Sequence, residues 1–123
     1  MKVHWALDGK VAILRPRGDL LGGPETDELV DAAKALVAQG NRALLVDLGD
    51  AGIVSSGGWG ALLRIRLAYD PAPRQDAIRV CNLSNRSHDA WEIIRFGLIF
   101  PLYESERDAV RAFAEGLAEP ANG

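Results

Sequence analysis

The run Ala43-Leu44-Leu45-Val46-Asp47-Leu48 constrains this chain more than any other stretch. A strand with one wet face alternates apolar and polar residues, and this one does not. Five of its six positions are apolar, the pattern of a strand covered on both faces. Such a strand needs helices above and below its sheet, so the chain must carry an α/β arrangement. At 123 residues it can bury one hydrophobic core without disulfide staples, and a single domain over residues 1–119 with a frayed tail at 120–123 is expected.

The remaining elements follow from local signals. Residues 3–7 alternate loosely, and Val11-Ala12-Ile13-Leu14 follows Asp8-Gly9, which predicts an antiparallel hairpin turning at Asp8 and Gly9. Residues 17–23, with Gly18, Gly22 and Gly23, read as a loop. Pro24 suits a first helical position, and Glu25, Asp27 and Glu28 place negative charge on the first turn. Leu29, Ala33, Leu36 and Val37 then form one apolar stripe that Gly40 closes. After the buried strand come a loop over 49–54 and a second helix to about Tyr69, ended by Asp70-Pro71-Ala72-Pro73.

A strand over 77–83 follows, with Ile78 and Val80 on one side and Cys81 and Leu83 on the other. Ser84, Asn85 and Ser87 offer caps for a third helix through Trp91, Ile94 and Arg95, stopped at Gly97. A short strand over 99–103 and a final helix opened by Ser105-Glu106-Arg107-Asp108 complete the order β-β-α-β-α-β-α-β-α. This is a mixed sheet, largely parallel after the hairpin, with function expected at the C-terminal ends of its strands.

At that edge stands Ile53-Val54-Ser55-Ser56-Gly57-Gly58-Trp59-Gly60, between the buried strand and the second helix. A serine there can cap the helix, the glycines admit another backbone closely, and the unpaired N–H groups favour negative charge. The glycines do not make a nucleotide loop, since no Lys-Ser/Thr follows and the dinucleotide spacing is absent. Nor is this a nucleophile elbow, because Val54 stands where the first glycine of Gly-x-Ser-x-Gly belongs. An ordinary helix cap and a modifiable serine both fit these residues.

Composition narrows the classes. The net charge of −3 is spread along the chain and gives no basic footprint for nucleic acid. Leu98-Ile99-Phe100-Pro101-Leu102 is too short to cross a bilayer, and Met1-Lys2-Val3-His4-Trp5 lacks a secretory apolar segment, so the cytoplasm is the expected compartment. The single Cys81 excludes an internal disulfide and reads as a small buried hydrophobe. His4 and His88 show no metal-ligand spacing; His88, near a helix start, reads as solvent or cap chemistry. Asp47 is expected to brace the Ser55–Ser56 loop by accepting N–H bonds, or else to touch a partner. Arg64 and Arg66 read as a solvated face.

Taken in order, Gly18-Asp19-Leu20, Val46-Asp47-Leu48, the stretch from Ile53 through Ala61-Leu62-Leu63, and Phe100-Pro101-Leu102-Tyr103-Glu104-Ser105 resemble the STAS domain of bacterial anti-sigma-factor antagonists. The resemblance covers residues 11–113. It places Ser56 at that family's phosphorylation position, with Ser55 the lesser candidate, and implies partner contacts at Asp19, Leu20, Leu21, Ser55, Gly57, Gly58 and Trp59. It also implies a binding module rather than an enzyme, with no cofactor. The implied partners are an anti-sigma serine kinase, bound until it phosphorylates the serine, and a metal-dependent phosphatase that resets it.

Three departures stand out. Gly57 occupies a place where a second hydroxyl often stands, Trp59 replaces the usual leucine, and Leu21 replaces a frequent aspartate. Trp59 is either a core residue or an exposed anchor. Trp91 with Ile94 has the same ambiguity and makes a homodimer conceivable. Two further readings compete with the switch. One is a non-switching STAS subunit of a lipid-transport ATPase or signalling scaffold. The other, a small serine hydrolase, lacks a positioned histidine and an oxyanion motif.

Overall fold

The computed structural model describes residues 2–68 and 77–118. Strands β1 (Lys2–Asp8) and β2 (Val11–Leu20) form the hairpin, followed by helix α1 (Pro24–Ala38) and strands β3 (Ala43–Asp47) and β4 (Ala51–Val54). Helix α2 (Ser56–Ala68), strand β5 (Ile78–Cys81), helix α3 (Asn85–Ile93), strand β6 (Leu102–Tyr103) and helix α4 (Glu106–Ala118) complete it. The six-stranded sheet runs β1-β2-β3-β5-β6, with β4 beside the far end of β2. Only the β1–β2 pair is antiparallel among these pairings. The mixed sheet and its four helices are as expected.

Period-two alternation divides the strands between two cores. Ala12, Leu14, Leu44, Val46, Ile78 and Val80 face α1, α2 and α3, while Val11, Ile13, Ala43, Leu45 and Cys81 face α4. Every residue of β3 is buried, as its apolar run requires. On the larger side Trp59, Trp91, Phe96 and Phe100 pack as an aromatic cluster. Trp59 meets Trp91 and Phe96 edge to face, at centroid distances of 6.1 and 5.5 Å.

The structure corrects several local expectations. The two hairpin loop residues are Gly9 and Lys10, because Asp8 still pairs with Val11, and Gly9 takes the left-handed φ of +60°. Residues 17–20 belong to β2 rather than to a loop. Having run past the end of β3, β2 offers free backbone groups, and the supposed loop over 49–54 pairs with them as β4. The third helix ends before Gly97: Arg95 takes the left-handed turn (φ +59°), and Phe96–Leu98 form a 3-10 turn. Burying Phe96 in the aromatic cluster offsets the cost, since a buried phenyl ring contributes about 1.5–3 kcal/mol against about 1–2 for a non-glycine left-handed residue.

The strand expected over 77–83 stops at Cys81, and Asn82 turns left-handed (φ +61°). Leu83 therefore rejoins the side of Ile78 and Val80 instead of following Cys81. The strand expected over 99–103 is only Leu102–Tyr103. Gly40 closes α1 with φ +92°, and Ser84 caps α3 through its hydroxyl, which accepts the Ser87 N–H at 3.1 Å. Ser105 caps α4 by accepting the Asp108 N–H. The Asp70–Pro73 stop, Tyr69 and the tail at 120–123 lie outside the described residues.

Candidate functional site

The site grows from the end of β2. Beyond Leu20 the chain must leave the sheet, and α2 must begin on the adjacent β4. The two are tied by the Leu20 carbonyl, which accepts the Ser55 N–H at 2.9 Å and the Ser55 hydroxyl at 3.3 Å. The Ser55 carbonyl accepts the Trp59 N–H, the first bond of the helix. Ser55 thus holds the cap position, and its hydroxyl is turned back to the strand. Ser56 is the first helical residue and is exposed.

The two glycines after it are a matter of contact. A Cβ on Gly58 would stand 2.5 Å from the Leu20 carbonyl oxygen and 2.9 Å from Val54 Cγ1. One on Gly57 would stand 2.7 Å from the Leu21 carbonyl oxygen and 2.8 Å from Gly22 Cα. Backbone is pressed on backbone, so α2 cannot carry a side chain at either position without moving. A second hydroxyl at position 57 is therefore shut out by the loop after β2.

Asp19 is exposed, and its Oδ1 accepts the Ile53 N–H at 2.8 Å, fastening β4 to β2. A Cβ on Gly52 would run into that same oxygen, which accounts for the glycine there. Leu21, whose carbonyl lies against Gly57, and Ile53 are 57% and 49% exposed, so apolar side chains reach solvent on the segments adjoining the start of α2. Ile53 adjoins the site, and the sequence reading, which began the serine stretch with it, gave it no contact role.

Leu20, Gly58 and Trp59, expected at the docking surface, lie beneath it. Trp59 is 7% exposed, and its ring fills the aromatic cluster under α2 instead of offering an anchor. Trp91, at 3%, is inside the same cluster, so the ring that suggested a dimer is not at the surface. Asp19, Leu21, Ser55, Ser56 and Gly57 remain together around the start of α2.

Asp47 does not brace this loop. Alternation turns it to the α4 face, opposite α2, where its Oδ1 accepts the Gly49 N–H at 2.8 Å and the Asn82 side-chain N–H at 3.0 Å. Arg64 reaches Asp27 of α1 at 2.7 Å across the surface. His88 is exposed, 3.8 Å from Glu92. Burial pushes the Cys81 thiol far above its ordinary range and leaves it inert. Among the described residues no group of three or more His, Cys, Asp or Glu could hold a metal ion, and no helix is long and apolar enough to span a membrane.

Solved structures share this architecture. An anti-sigma-factor antagonist (STAS) domain protein from Planctomyces limnophilus superposes with a TM-score of 0.76 at 18% identity, over 91% of this chain and 97% of its own. The fold is that of a STAS domain. The Bacillus cell fate determinant SpoIIAA in its phosphorylated form aligns over 91% and 99% of the two chains, at 16% identity and a TM-score of 0.66. A sulfate transporter family protein from Wolinella succinogenes aligns over 94% and 93%, at 14% identity and 0.68. No family model and no curated protein sequence matches the chain. The STAS fold thus serves both antagonists and transporter proteins, and it is the site that distinguishes among uses.

Proposed function

We propose that this chain is a partner-switching module whose switch is Ser56. Unphosphorylated, it binds an anti-sigma serine kinase in the manner of the antagonists it resembles. Phosphorylation by that kinase releases it, and a metal-dependent phosphatase restores the hydroxyl. The observation that carries the reading is the exposed Ser56 at the first position of α2, with exposed Leu21 and Ile53 on the segments that adjoin that helix start.

The physics favours switching without unfolding. A phosphate on Ser56 brings about −1.5 to −2 charge into an apolar rim that a partner must desolvate. Within the free chain the same charge sits at the positive end of a helix, where it is tolerated. A difference of about 3 kcal/mol between those situations weakens binding more than a hundredfold. Ser55, with its hydroxyl held by the Leu20 carbonyl, serves as the clamp of the turn rather than the acceptor. The module spans residues 1–119 and works in the cytoplasm without a cofactor or catalytic residue.

Phosphosite mapping after incubation with the cognate kinase and ATP tests the assignment. Modification is expected on Ser56; modification elsewhere with Ser56 untouched rejects it. Kinase affinity should persist in Ser56→Ala and fall roughly a hundredfold in Ser56→Asp, as the ~3 kcal/mol difference implies. The likeness to a sulfate transporter family protein favours one other reading, a non-switching STAS subunit attached to a transporter or scaffold. There Ser56 is only a helix residue, and copurification with a transporter component, unaffected by Ser56→Asp, would decide for it.

A further inference from the structure

At the edge of the sheet, β1 pairs with β2 and, among the described residues, with no other strand. It runs for seven residues without proline, in unbroken register with β2. Edge strands are ordinarily short, bulged, or interrupted by proline or an inward-pointing charge, because a long regular edge templates another strand. Between Val3 and Leu7, β1 carries none of these protections.

The hairpin determines which backbone groups are free. Gly9 has a left-handed φ and Lys10 does not, as in a two-residue turn with glycine at its first position. Such a turn closes on a pair that exchanges both hydrogen bonds, and here that pair is Asp8 and Val11. Alternation then gives the backbone groups of Asp8, Ala6 and His4 to β2 and turns those of Leu7, Trp5 and Val3 outward.

The same three residues stand opposite Ala12, Leu14 and Pro16, on the side of the larger core. Val3 packs against that core, but Trp5 and Leu7 are each 56% exposed. Of the three tryptophans, Trp5 alone is at the surface. Unpaired backbone groups and uncovered apolar side chains thus fall on the same residues.

We propose that two copies of this chain pair antiparallel along β1, about a twofold axis at Trp5. In that register the strand is its own complement. Val3 stands opposite Leu7 and Trp5 opposite Trp5, so the outward N–H and C=O groups meet and the apolar side chains lie side by side. Lys2, a cationic position, falls opposite the anionic Asp8 at both ends. A parallel pairing would set Lys2 against Lys2 and Asp8 against Asp8. A shift of two residues either way would leave one charged end and one apolar residue unpaired. The contact is isologous and closes as a dimer, with one sheet continuous through both copies. Strand pairing of this length belongs with the small interfaces, below about 1,200 Å², so the dimer is weak and concentration-dependent. Nothing in the pairing involves Ser56.

Analytical ultracentrifugation of the intact chain from about 10 μM to about 1 mM covers the affinities of such an interface. The average mass should climb reversibly toward twice that of the monomer. Over the same range, amide exchange of Trp5 and Leu7 should slow, while that of Ala6, already bonded to β2, should change little. Trp5→Lys should raise the dimer Kd at least about tenfold, since the substituted residue faces itself. Asp8→Lys alone should weaken pairing, and adding Lys2→Asp should restore it, because the charges are then exchanged rather than lost. A monomer throughout the range, whether or not it binds an extended peptide along β1, overturns the proposal. So does a dimer in which Trp5 and Leu7 exchange as fast as in dilute solution. Should Trp5→Lys fail to fold, the wild-type exchange pattern decides.

Discussion

The two faces of the sheet are built from alternate residues of the same strands and are stabilised in different ways. The first carries three helices over a dry core closed by four aromatic rings. Among the described residues the second carries α4 alone, and its smaller core is bordered by Arg15, Glu106, Asp47 and the buried Arg79. Close packing fixes positions without regard to pH or salt, whereas ion pairs depend on both. Ser56 stands above the dry face. The residue proposed as the switch is thus mounted on the half of the molecule held by close packing.

Breaking the dry face should have the largest effect. Trp59→Ala removes a ring from the cluster and is expected to cost about 3–5 kcal/mol in chemical denaturation, at low and high salt alike. A cost below about 1 kcal/mol would mean that the aromatic cluster is not the stabilising core of this face. On the polar face, Glu106→Ala leaves the Arg15 guanidinium without its carboxylate partner and is expected to cost roughly 1–2 kcal/mol. Because the pair is partly exposed, that cost should shrink as salt is added. An undiminished cost in 1 M salt (~3 Å screening length) would make this face as insensitive as the other.

The smallest change is expected at Ser56, the proposed switch. Ser56→Asp is exposed and places its charge on the first turn of α2, so folding stability should stay within about 0.5 kcal/mol of wild type. A larger loss would blur the comparison, because release from a partner could then follow from unfolding rather than from the altered surface.

Much of this arrangement is legible in the sequence because its signals are local. The uniform apolar run of β3, the stripe and closing glycine of α1, the Ser84 and Ser105 caps and the Ser-Gly entry to α2 each depend on a few neighbouring residues. What misleads is uncovered backbone. β4 is four residues long, holds a glycine and does not alternate, and it is a strand only because β2 outruns β3 and offers it hydrogen bonds. The end of α3 is misjudged for a related reason: glycine is the expected helix stop, yet burial of Phe96 puts the turn at Arg95. The roles of Trp59 and Trp91 stay undecided in the sequence because an aromatic ring suits a core and an interface equally.

By itself the sequence determined the α/β class, the placing of a serine at the mouth of α2 and the modest net charge of −3. Periodicity, capping and composition are properties of short stretches, and they survive without knowledge of the partner strand. Only the tertiary structure decided that Ser55 is tied down while Ser56 is open, that Gly57 and Gly58 make room for another backbone, and that Asp47 is held by Gly49 and Asn82 instead of bracing the serines. Each of these is a contact between residues far apart in the chain. Such contacts are set by which face of a strand a side chain leaves and by how closely two segments approach.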